Sequence, residues 1–547
     1  MTAVAASGRL GASDSTIAGL RTTARLAWRQ NRIFWTVWVL ALVGLMPATV
    51  TTYSELVTSD PGALMATLGA NPTMRVILGP PFDLSTAGGF AAWRVGNFTG
   101  WMAALMSALG VIRCTRADEE AGRLELLRAG AIGRHAPLAG ALLVAALVNV
   151  VLGVGIAAGM IASGTPTAGS IAAGMGVTSM GWLFAAVAGV AAQVFESARS
   201  ARAWSVGIVL GGLFVVRAII DGSGSGSALE PLRWFVPVEW PALVRAYADE
   251  RWWVLALPYG SAVLLTLAAL RLESMRDHGG GLRATRLGPA SAPPGLSGPW
   301  GLSWRLDRWS IIGWSVALVV SAAGMGSIAL QMRSLFDDNP QLKVLLERLG
   351  GSGAAEIAFY SAMISILATV LGMLVILLLG RLRSEETAGH IEPLLATTVS
   401  RLNLALSHLV PATLVPVALL LACGAVLPVA QVSRDGDASL SLDFLRAAAA
   451  LTPSVLVVAG IAMLLIGWVP RFFALSWVVV TWTMFCTWLA PLFNLPAWLI
   501  DLHPLGPLPS LPSEAMDWTP VLVEAAVGLV LMGVGVVGYR RRNIPAA

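Results

Sequence analysis

The stretch LAWRQNRIFWTVWVLAL, residues 26–42, passes without a break from basic, Trp-bearing sequence into apolar sequence. It aligns without a gap on LSWRLDRWSIIGWSVAL, residues 302–318. The identical positions are Leu26, Trp28, Arg29, Arg32, Trp38, Ala41 and Leu42, which match Leu302, Trp304, Arg305, Arg308, Trp314, Ala317 and Leu318. Each copy predicts an amphipathic helix that lies in a membrane interface and then turns upward into a membrane-spanning helix. An ordinary aromatic and basic flank is the alternative, but recurrence in register favours a duplication.

Apolar runs of similar length recur along the whole chain. Of its 547 residues, 56% are hydrophobic and 12% are charged, and the mean hydropathy of +0.74 lies outside the range of soluble domains. Twelve runs come close to the roughly 20 residues that cross a bilayer: 33–53, 95–112, 137–160, 171–193, 203–220, 252–270, 309–331, 357–380, 403–430, 447–469, 473–493 and 519–539. The runs lack the alternation of barrel strands, so the sequence predicts an all-α polytopic membrane protein with twelve transmembrane helices.

The duplication divides these spans into two six-helix pseudo-repeats of the same orientation, since an even number of spans separates the two copies. Residues 276–300 are rich in Gly, Pro and Ser, which is typical of a linker. The predicted domains are therefore a first transmembrane half over 1–271, a cytoplasmic linker over 272–300 and a second transmembrane half over 301–547.

The distribution of basic residues predicts the orientation. Lys343 is the only lysine among 36 basic residues. With the N-terminus in the cytoplasm, 25 of them fall on the inner side and 11 on the outer side, as the positive-inside rule requires. We expect a multi-pass protein of the cytoplasmic (inner) membrane with both termini cytoplasmic and no cleavable signal peptide. The net charge of +5 is explained by this orientation and gives no reason to expect a nucleic-acid partner.

A second duplication lies in two charged segments between apolar runs. EEAGRLELLRAGAIGR, residues 119–134, and EETAGHIEPLLATTVSR, residues 385–401, each follow the second span of their half. We call residues 116–134 the first charged segment and residues 383–401 the second charged segment. At a constant offset of 267, Arg116, Glu119, Ala121, Gly122, Glu125, Leu127, Ala129 and Arg134 match Arg383, Glu386, Ala388, Gly389, Glu392, Leu394, Ala396 and Arg401.

Each charged segment predicts a glycine break followed by a short helix. Gly122 and Gly389 allow the descending helix to end, and Pro393 suits the first turn of the next one. The short helices, about 125–133 and 392–400, present apolar residues at helical spacing: Leu124, Leu127 and Ala131 in one, Ile391, Leu394 and Thr398 in the other. The alternative is a solvated loop with pairs such as Glu119 to Arg123, worth about 0.2–0.5 kcal/mol. Because Gly, Glu and Arg recur at matched positions in both halves, the sequence favours two equivalent protruding sites that bind a partner protein.

The order basic residue, Glu, Gly, apolar residue, Glu, two apolar residues and a terminal Arg resembles the coupling-helix motif in permeases of type-2 ABC exporters. The fused twelve-span arrangement is similar to permease subunits of polyketide-antibiotic and multidrug efflux pumps of high-GC bacteria. This resemblance implies an exporter of hydrophobic or amphipathic drugs, worked by two copies of a separate ATPase subunit that carry the ATP and Mg²⁺. The permease itself would bind no cofactor. The chain departs from its own repeat where Thr387 replaces Glu120 and Leu395 replaces Arg128, so the two contacts need not be equivalent.

The resemblance also implies roles for particular residues. Contacts to the ATPase would come from Glu119, Gly122, Leu124, Glu125, Leu127 and Arg134 in the first half and Glu386, Gly389, Ile391, Glu392, Leu394 and Arg401 in the second. The second and fifth spans of each half would line the substrate path. Candidates there are Trp101, Met106, Trp204, Phe214, Phe359, Met363, Trp482 and Phe485, whose side chains suit a broad apolar pocket. For each of them, packing against lipid or a neighbouring helix is the alternative.

Other function classes fit the sequence less well. A Walker A loop needs a Lys after its glycines, and Lys343 lies in a predicted outer loop, so ATP hydrolysis is expected of a partner. A twelve-span secondary transporter is the alternative, but such carriers use ionisable residues within the membrane, where the spans offer little beyond Arg217, Asp221 and Glu524. The three cysteines and five histidines show no disulfide or metal-ligand spacing. No cluster of Asp, His or Ser predicts a membrane-embedded enzyme.

Overall fold

The structure is a computed structural model. It describes residues 16–56, 72–128, 132–224, 226–277, 279–283, 290–337, 352–435, 439–488, 498, 502–509, 511 and 516–543. In the first part of the chain the helices are α1 (Leu20–Val43), α2 (Leu45–Leu56), α3 (Pro72–Leu78), α4 (Ala87–Ala91), α5 (Asn97–Cys114), α6 (Arg116–Glu120), α7 (Arg123–Arg128), α8 (Ala136–Ala162), α9 (Thr167–Val194), α10 (Ala198–Arg202), α11 (Gly211–Gly222), α12 (Trp240–Leu243) and α13 (Ala256–Glu273). In the second part they are α14 (Pro299–Asp337), α15 (Ser352–Thr387), α16 (Ile391–Leu395), α17 (Arg401–Val426), α18 (Val429–Asp435), α19 (Ser439–Ala450), α20 (Thr452–Trp468), α21 (Ser476–Trp488) and α22 (Trp518–Arg541).

Short helices of other types connect or interrupt these elements. The 3₁₀ helices are Glu230–Phe235, Pro237–Glu239, Trp252–Leu255, Pro294–Leu296 and Pro470–Leu475. Two π-helical segments, Ala92–Gly96 and Ala203–Leu210, run directly into α5 and α11. Insertions of this kind are rare in helices and occur often at functional sites. They fall in the second and fifth spans, where the sequence analysis expects the substrate path.

The chain divides into two compact units, Met1–Gly288 and Pro289–Ala547. Eleven of the described helical segments are long and apolar enough to cross a membrane, six in the first unit and five in the second. They are Leu20–Thr51, Ala87–Glu120, Ala136–Ala162, Thr167–Val194, Ala198–Gly222 and Trp252–Glu273, then Pro299–Gly326, Tyr360–Thr387, Arg401–Ser433, Ser441–Trp468 and Trp518–Arg541. The prediction of an all-α polytopic membrane protein is confirmed.

One predicted span, 473–493, is only partly described. Its first residues form the 3₁₀ helix Pro470–Leu475 and α21, which ends at Trp488, and residues 489–497 lie outside the described residues. A count of twelve therefore stays a prediction. The domain boundaries stay predictions too. Two residues of the predicted linker lie within the first compact unit and bond to the end of α9: the backbone N–H of Leu282 donates to Gln193 O at 3.1 Å and that of Arg283 to Val194 O at 3.0 Å.

The predicted turn between an interfacial helix and the first span of each half is wrong. α1 is one uninterrupted helix from Leu20 to Val43, and its counterpart α14 runs through Gly313 from Pro299 to Asp337. α1 contains no Gly or Pro that would break its hydrogen-bond ladder. A single glycine such as Gly313 costs about 1 kcal/mol in a helix, which is too little to stop it. The basic Trp-bearing stretches therefore extend the first span of each unit as continuous helix.

Each unit is built around a pair of closely packed helices with small residues at the contact. In the first unit α9 packs on α5, α8 and α13, and a Cβ on Gly153 of α8 would lie 2.6 Å from Gly174 O of α9. In the second unit α20 and α22 form the most extensive contact, where a Cβ on Gly467 would lie 2.1 Å from Gly535 O. Without a hydrophobic driving force in lipid, such backbone approaches supply the packing that holds helices together.

Candidate functional site

The two charged segments have the glycine break expected from the sequence. Gly122 ends α6 with φ of +68°, and Gly389 follows α15 with φ of +75°, both in the left-handed region that favours glycine. The helices that follow are α7, Arg123–Arg128, and α16, Ile391–Leu395.

The predicted helix ranges 125–133 and 392–400 are too long. Residues 132–135 are not helical, and α16 ends at Leu395. The second copy ends early because Thr397, Thr398 and Val399 are β-branched and Ser400 already caps the next helix, its hydroxyl accepting from Asn403 N at 3.2 Å. Among the described residues, which omit 129–131, the short helix comprises six residues in the first segment and five in the second.

Each short helix has one buried residue and an exposed tip. Leu124 and Ile391, at equivalent positions, are buried with 5% and 2% of their surface exposed, and they fix the inner face of α7 and α16. Leu127 and Leu394 are half-buried. The outward tips consist of Glu125 and Leu126 in the first unit and Glu392 and Pro393 in the second, all exposed. An acidic residue beside an exposed apolar one is thus available at the same place in each unit.

Glu119 lies behind this tip in a buried ion-pair network. Its Oε1 and Oε2 accept from Arg276 Nη1 and Nη2, both at 2.7 Å, and Oε1 also accepts from the backbone N–H of Gly279 at 2.8 Å. Arg116 Nη1 adds a fourth contact at 3.1 Å. The Glu119 and Arg276 side chains are 4% and 7% exposed, so this carboxylate is fully engaged inside its own unit.

Arg116 extends the network to three parts of the chain. Its Nε donates to Glu196 O at 2.6 Å, and its Nη1 and Nη2 donate to Gly280 O and Gly279 O at 3.1 and 3.0 Å. The segment after α13 is thereby joined to the ends of α5 and α9. Arg116 thus ties the first charged segment to backbone carbonyls that follow α9 and α13.

The second unit repeats the pattern. Glu386 accepts from both Nη atoms of Arg542, with Nη1 to Oε1 at 2.7 Å, and pairs with Arg383 at 3.2 Å. The arginines that close the segments also correspond: Arg134 donates to Glu273 O and Arg276 O at 2.8 and 2.9 Å, and Arg401 donates to Arg540 O and Arg542 O at 3.3 and 2.8 Å. Glu119, Arg134, Glu386 and Arg401 thus all make contacts within their own unit, and their contact with a partner stays a prediction.

The partners Arg276 and Arg542 were not expected from the sequence. Each follows the last span of its unit, and the two are 266 positions apart, one less than the offset of the charged segments. The repeat alignment pairs them only with a one-residue gap, because an offset of 267 places Asn543 opposite Arg276. The replacement of Glu120 by Thr387 in the second repeat also has a structural consequence. Glu120 Oε1 accepts from the backbone N–H of Ala198 at 2.8 Å, whereas the Thr387 hydroxyl donates to Arg383 O within its own helix at 3.1 Å.

Among the substrate-path candidates, Trp101 and Phe214 are brought together from the second and fifth spans. Their rings meet edge to face with centroids 4.7 Å apart, and the Arg217 guanidinium lies 4.8 Å from the Trp101 ring centroid. Arg217 in turn pairs with Asp221 at 3.0 Å and with Glu239 at 2.6 Å, and all three charged side chains are fully buried. The Arg217 guanidinium, fixed by Asp221 and Glu239, therefore packs against the Trp101 ring of this aromatic pair.

The remaining candidates are placed less uniformly. Met106 is fully buried in the core of the first unit, and Trp204 is half-buried with its ring 6.0 Å from Phe195. In the second unit Trp482 and Phe485 stack on each other at 5.4 Å, and Met363 packs on the core. The Phe359 side chain lies outside the described residues.

Trp101 and Trp482 share one further property. Their indole Nε1 atoms are buried and have no hydrogen-bond partner within the part of the chain that the structure describes. A buried donor without an acceptor costs about 1–3 kcal/mol, a cost that a bound acceptor removes. Among the same described residues, no group of three or more His, Cys, Asp or Glu side chains is arranged to hold a metal ion.

Two helical units, each with an ion-paired segment beside a long apolar span, are consistent with a multi-pass membrane protein. Residues 296–540 match the family model described as "Multidrug efflux system permease Rv1217c, C-terminal domain". Over 524 residues the chain is 36% identical to the multidrug efflux system permease protein Rv1217c of Mycobacterium tuberculosis (strain ATCC 25618 / H37Rv), covering 95% of this chain and 94% of that protein. The chain belongs to the family of this permease.

Proposed function

We propose that the chain is the permease subunit of an ATP-driven ABC exporter that moves hydrophobic or amphipathic drugs outward across the cytoplasmic membrane. Two copies of a separate ABC ATPase subunit supply the ATP hydrolysis with Mg²⁺, and this chain binds neither. The observation that carries the proposal is the duplicated tip, Glu125–Leu126 and Glu392–Pro393, which is exposed while the residues behind it are fixed. The name of the 36% identical relative supports drug efflux as the activity.

The contacts suggest how a push on the tips reaches the membrane spans. A force on α7 passes through Glu119 and Arg276 to the end of α13, and through Arg116 to the ends of α5 and α9. A force on α16 passes through Glu386 and Arg542 to the end of α22. Because buried ion pairs are costly to separate, segment and spans move as one body. In the first unit this motion changes the contact between the second and fifth spans, where Trp101 meets Phe214.

The experiment that tests the proposal removes the acidic character of both tips. We expect Glu125→Arg combined with Glu392→Arg to abolish co-purification with the proposed ATPase subunit, because both exposed carboxylates are reversed in charge. Membrane insertion and melting behaviour should not change, since neither side chain is buried. Asp443→Arg, at a side chain that is 50% exposed and belongs to neither charged segment, is the control. Undisturbed association of the double variant would contradict the proposal.

A secondary, ion-coupled drug transporter is the second candidate, and one observation favours it. Glu524 lies in α22 with 8% of its surface exposed, and neither carboxylate oxygen has a hydrogen-bond partner among the described residues. Ionisable residues within a membrane often belong to proton pathways. Drug efflux in cells that lack the ATPase, lost on Glu524→Gln, would support this alternative, whereas efflux that requires the ATPase supports the exporter.

A further inference from the structure

An apolar groove runs along the surface of the first unit between α1 and α8. It has a volume of about 550 Å³. Its lining residues are Ala24, Arg25, Trp28, Trp35, Thr36, Val39, Leu40, Val144, Leu147, Val148 and Val151. Leu40, Leu147 and Val151 are 69%, 56% and 61% exposed, so the groove opens away from the core of the unit. Only one charged residue, Arg25, lines it.

Arg25 belongs to a basic stripe that continues the groove. Arg21, Arg25, Arg29 and Arg32 are all exposed, and their spacing of four, four and three residues places them on one face of α1. Val39 and Leu40 continue along that face. The result is an elongated surface that is cationic at one end and apolar over the rest of its length.

The cationic end lies beside the first charged segment. The backbone N–H groups of Gly133 and His135 donate to Ala18 O and Thr16 O, both at 2.8 Å, and the Thr23 hydroxyl donates to Ala136 O at 2.7 Å. The beginning of α1 is therefore bound to the beginning of α8, immediately after the first charged segment. Under the proposed orientation this end faces the cytoplasmic leaflet.

We propose that the groove binds an anionic phospholipid, with one acyl chain along the apolar lining and the headgroup phosphate at Arg25. The charge decides the occupant, because four exposed arginines on one face attract a phosphate at the membrane surface. The size agrees: from Arg25 to Leu40 the helix advances about 22 Å at 1.5 Å per residue. One leaflet occupies half of a hydrocarbon core about 30 Å thick. The groove thus reaches from the headgroup level through the depth of a leaflet.

The test compares lipids that share acyl chains but differ in charge. Purified full-length protein is loaded with phosphatidylglycerol or phosphatidylcholine in detergent, and retained lipid is counted by native mass spectrometry. We expect Arg25→Gln to weaken phosphatidylglycerol retention roughly fivefold, the loss of one basic contact near a membrane surface, and to leave phosphatidylcholine retention unchanged. Leu147→Trp, which fills the groove from its exposed side, should lower retention of both lipids.

Two matched control variants distinguish lipid bound in the groove from lipid held nonspecifically at other sites of the protein. Arg305 aligns with Arg29 in the repeat, and in that register Gly301 stands where the first unit has Arg25, so Arg305→Gln serves as the charge control. Leu264 is 69% exposed on α13 and does not line the groove, so Leu264→Trp is the control for size. Equal losses from Arg25→Gln and Arg305→Gln, or displacement of the lipid by inorganic phosphate, would overturn the proposal.

The assay requires no ATPase, so its outcome is independent of the pull-down described above. The assignment to the cytoplasmic leaflet rests on the proposed function, but binding itself does not. Both groove substitutions are at exposed positions, and unchanged melting curves show that reduced retention reflects the groove. No loss of phosphatidylglycerol in a folded Arg25→Gln protein would end the inference.

Discussion

Glu119 and Arg276 show how single residues determine what the first charged segment can do. A buried carboxylate is tolerated only when its charge is matched and its oxygens are hydrogen-bonded. Glu119 satisfies both conditions with one bidentate arginine, a second arginine and a backbone N–H. Under the proposed function, the exposed Glu125 is therefore the carboxylate of this segment that a partner protein can reach.

We predict that Arg276→Met lowers the free energy of unfolding of the first unit by about 3–5 kcal/mol, because it leaves the Glu119 carboxylate buried without its main counter-charge. The double variant Glu119→Gln with Arg276→Met should recover little of the loss, since the Arg116 guanidinium, 1% exposed, then stays buried without a carboxylate partner. Thermal melting of the purified protein in detergent measures both effects.

Arg271→Gln is the control for the Arg276 variant. Arg271 is exposed on the same stretch of chain, five residues earlier, and an exposed charge contributes within about 1 kcal/mol. Equal melting temperatures for Arg276→Met and Arg271→Gln would show that the network adds nothing to stability.

At the scale of helices, the contact between α20 and α22 depends on the absence of side chains. A Cβ on Gly535 would lie 2.6 Å from Leu464 N and Met463 C and 2.7 Å from Met463 O. These are backbone atoms, which cannot rotate aside as a side chain can. The helices would have to separate, and with them the end of α22 that leads to Arg542.

We therefore predict that Gly535→Leu destabilises the second unit by about 1–3 kcal/mol or more, as overpacking does in well-packed interiors. Gly533→Leu, two residues earlier on the same helix, is the matched control because its Cβ would meet nothing within 4 Å. Fluorescence-detected size exclusion across a temperature series compares them. Equal melting temperatures for Gly535→Leu and Gly533→Leu would contradict the close backbone contact between α20 and α22.

The helices also show what the sequence could and could not predict. The breaks at Gly122 and Gly389 were predictable because left-handed backbone is a local property of glycine. The unbroken α1 was not, since an amphipathic pattern fits an interfacial helix and a spanning one equally well. The burial of Glu119 was hidden for a different reason: its partner Arg276 is 157 residues away, and no local pattern reports such a contact.

For the whole molecule, the duplication is the feature that sequence and structure express most consistently. Two aligned pairs of segments predicted a repeat, and the structure shows corresponding ion pairs at Glu119 and Glu386 within separate compact units. The departures follow the sequence as well. Arg116 is 1% exposed and bound to three backbone carbonyls, whereas Arg383 is 25% exposed. The first charged segment is therefore bound more tightly to its unit than the second, so the two proposed ATPase contacts need not respond alike.

The orientation of the molecule gives the last prediction. Leu126 is 80% exposed at the tip of the first charged segment, and Ser85 is exposed at the opposite end of the Ala87–Glu120 span. If the positive-inside rule holds, a membrane-impermeant maleimide applied to intact cells labels Ser85→Cys and labels Leu126→Cys only after the membrane is opened. The native Cys114, Cys423 and Cys486 are buried, which keeps the background low. Labelling of Leu126→Cys in intact cells would place the tip outside, where no ATP-driven partner could reach it, and would exclude the exporter mechanism.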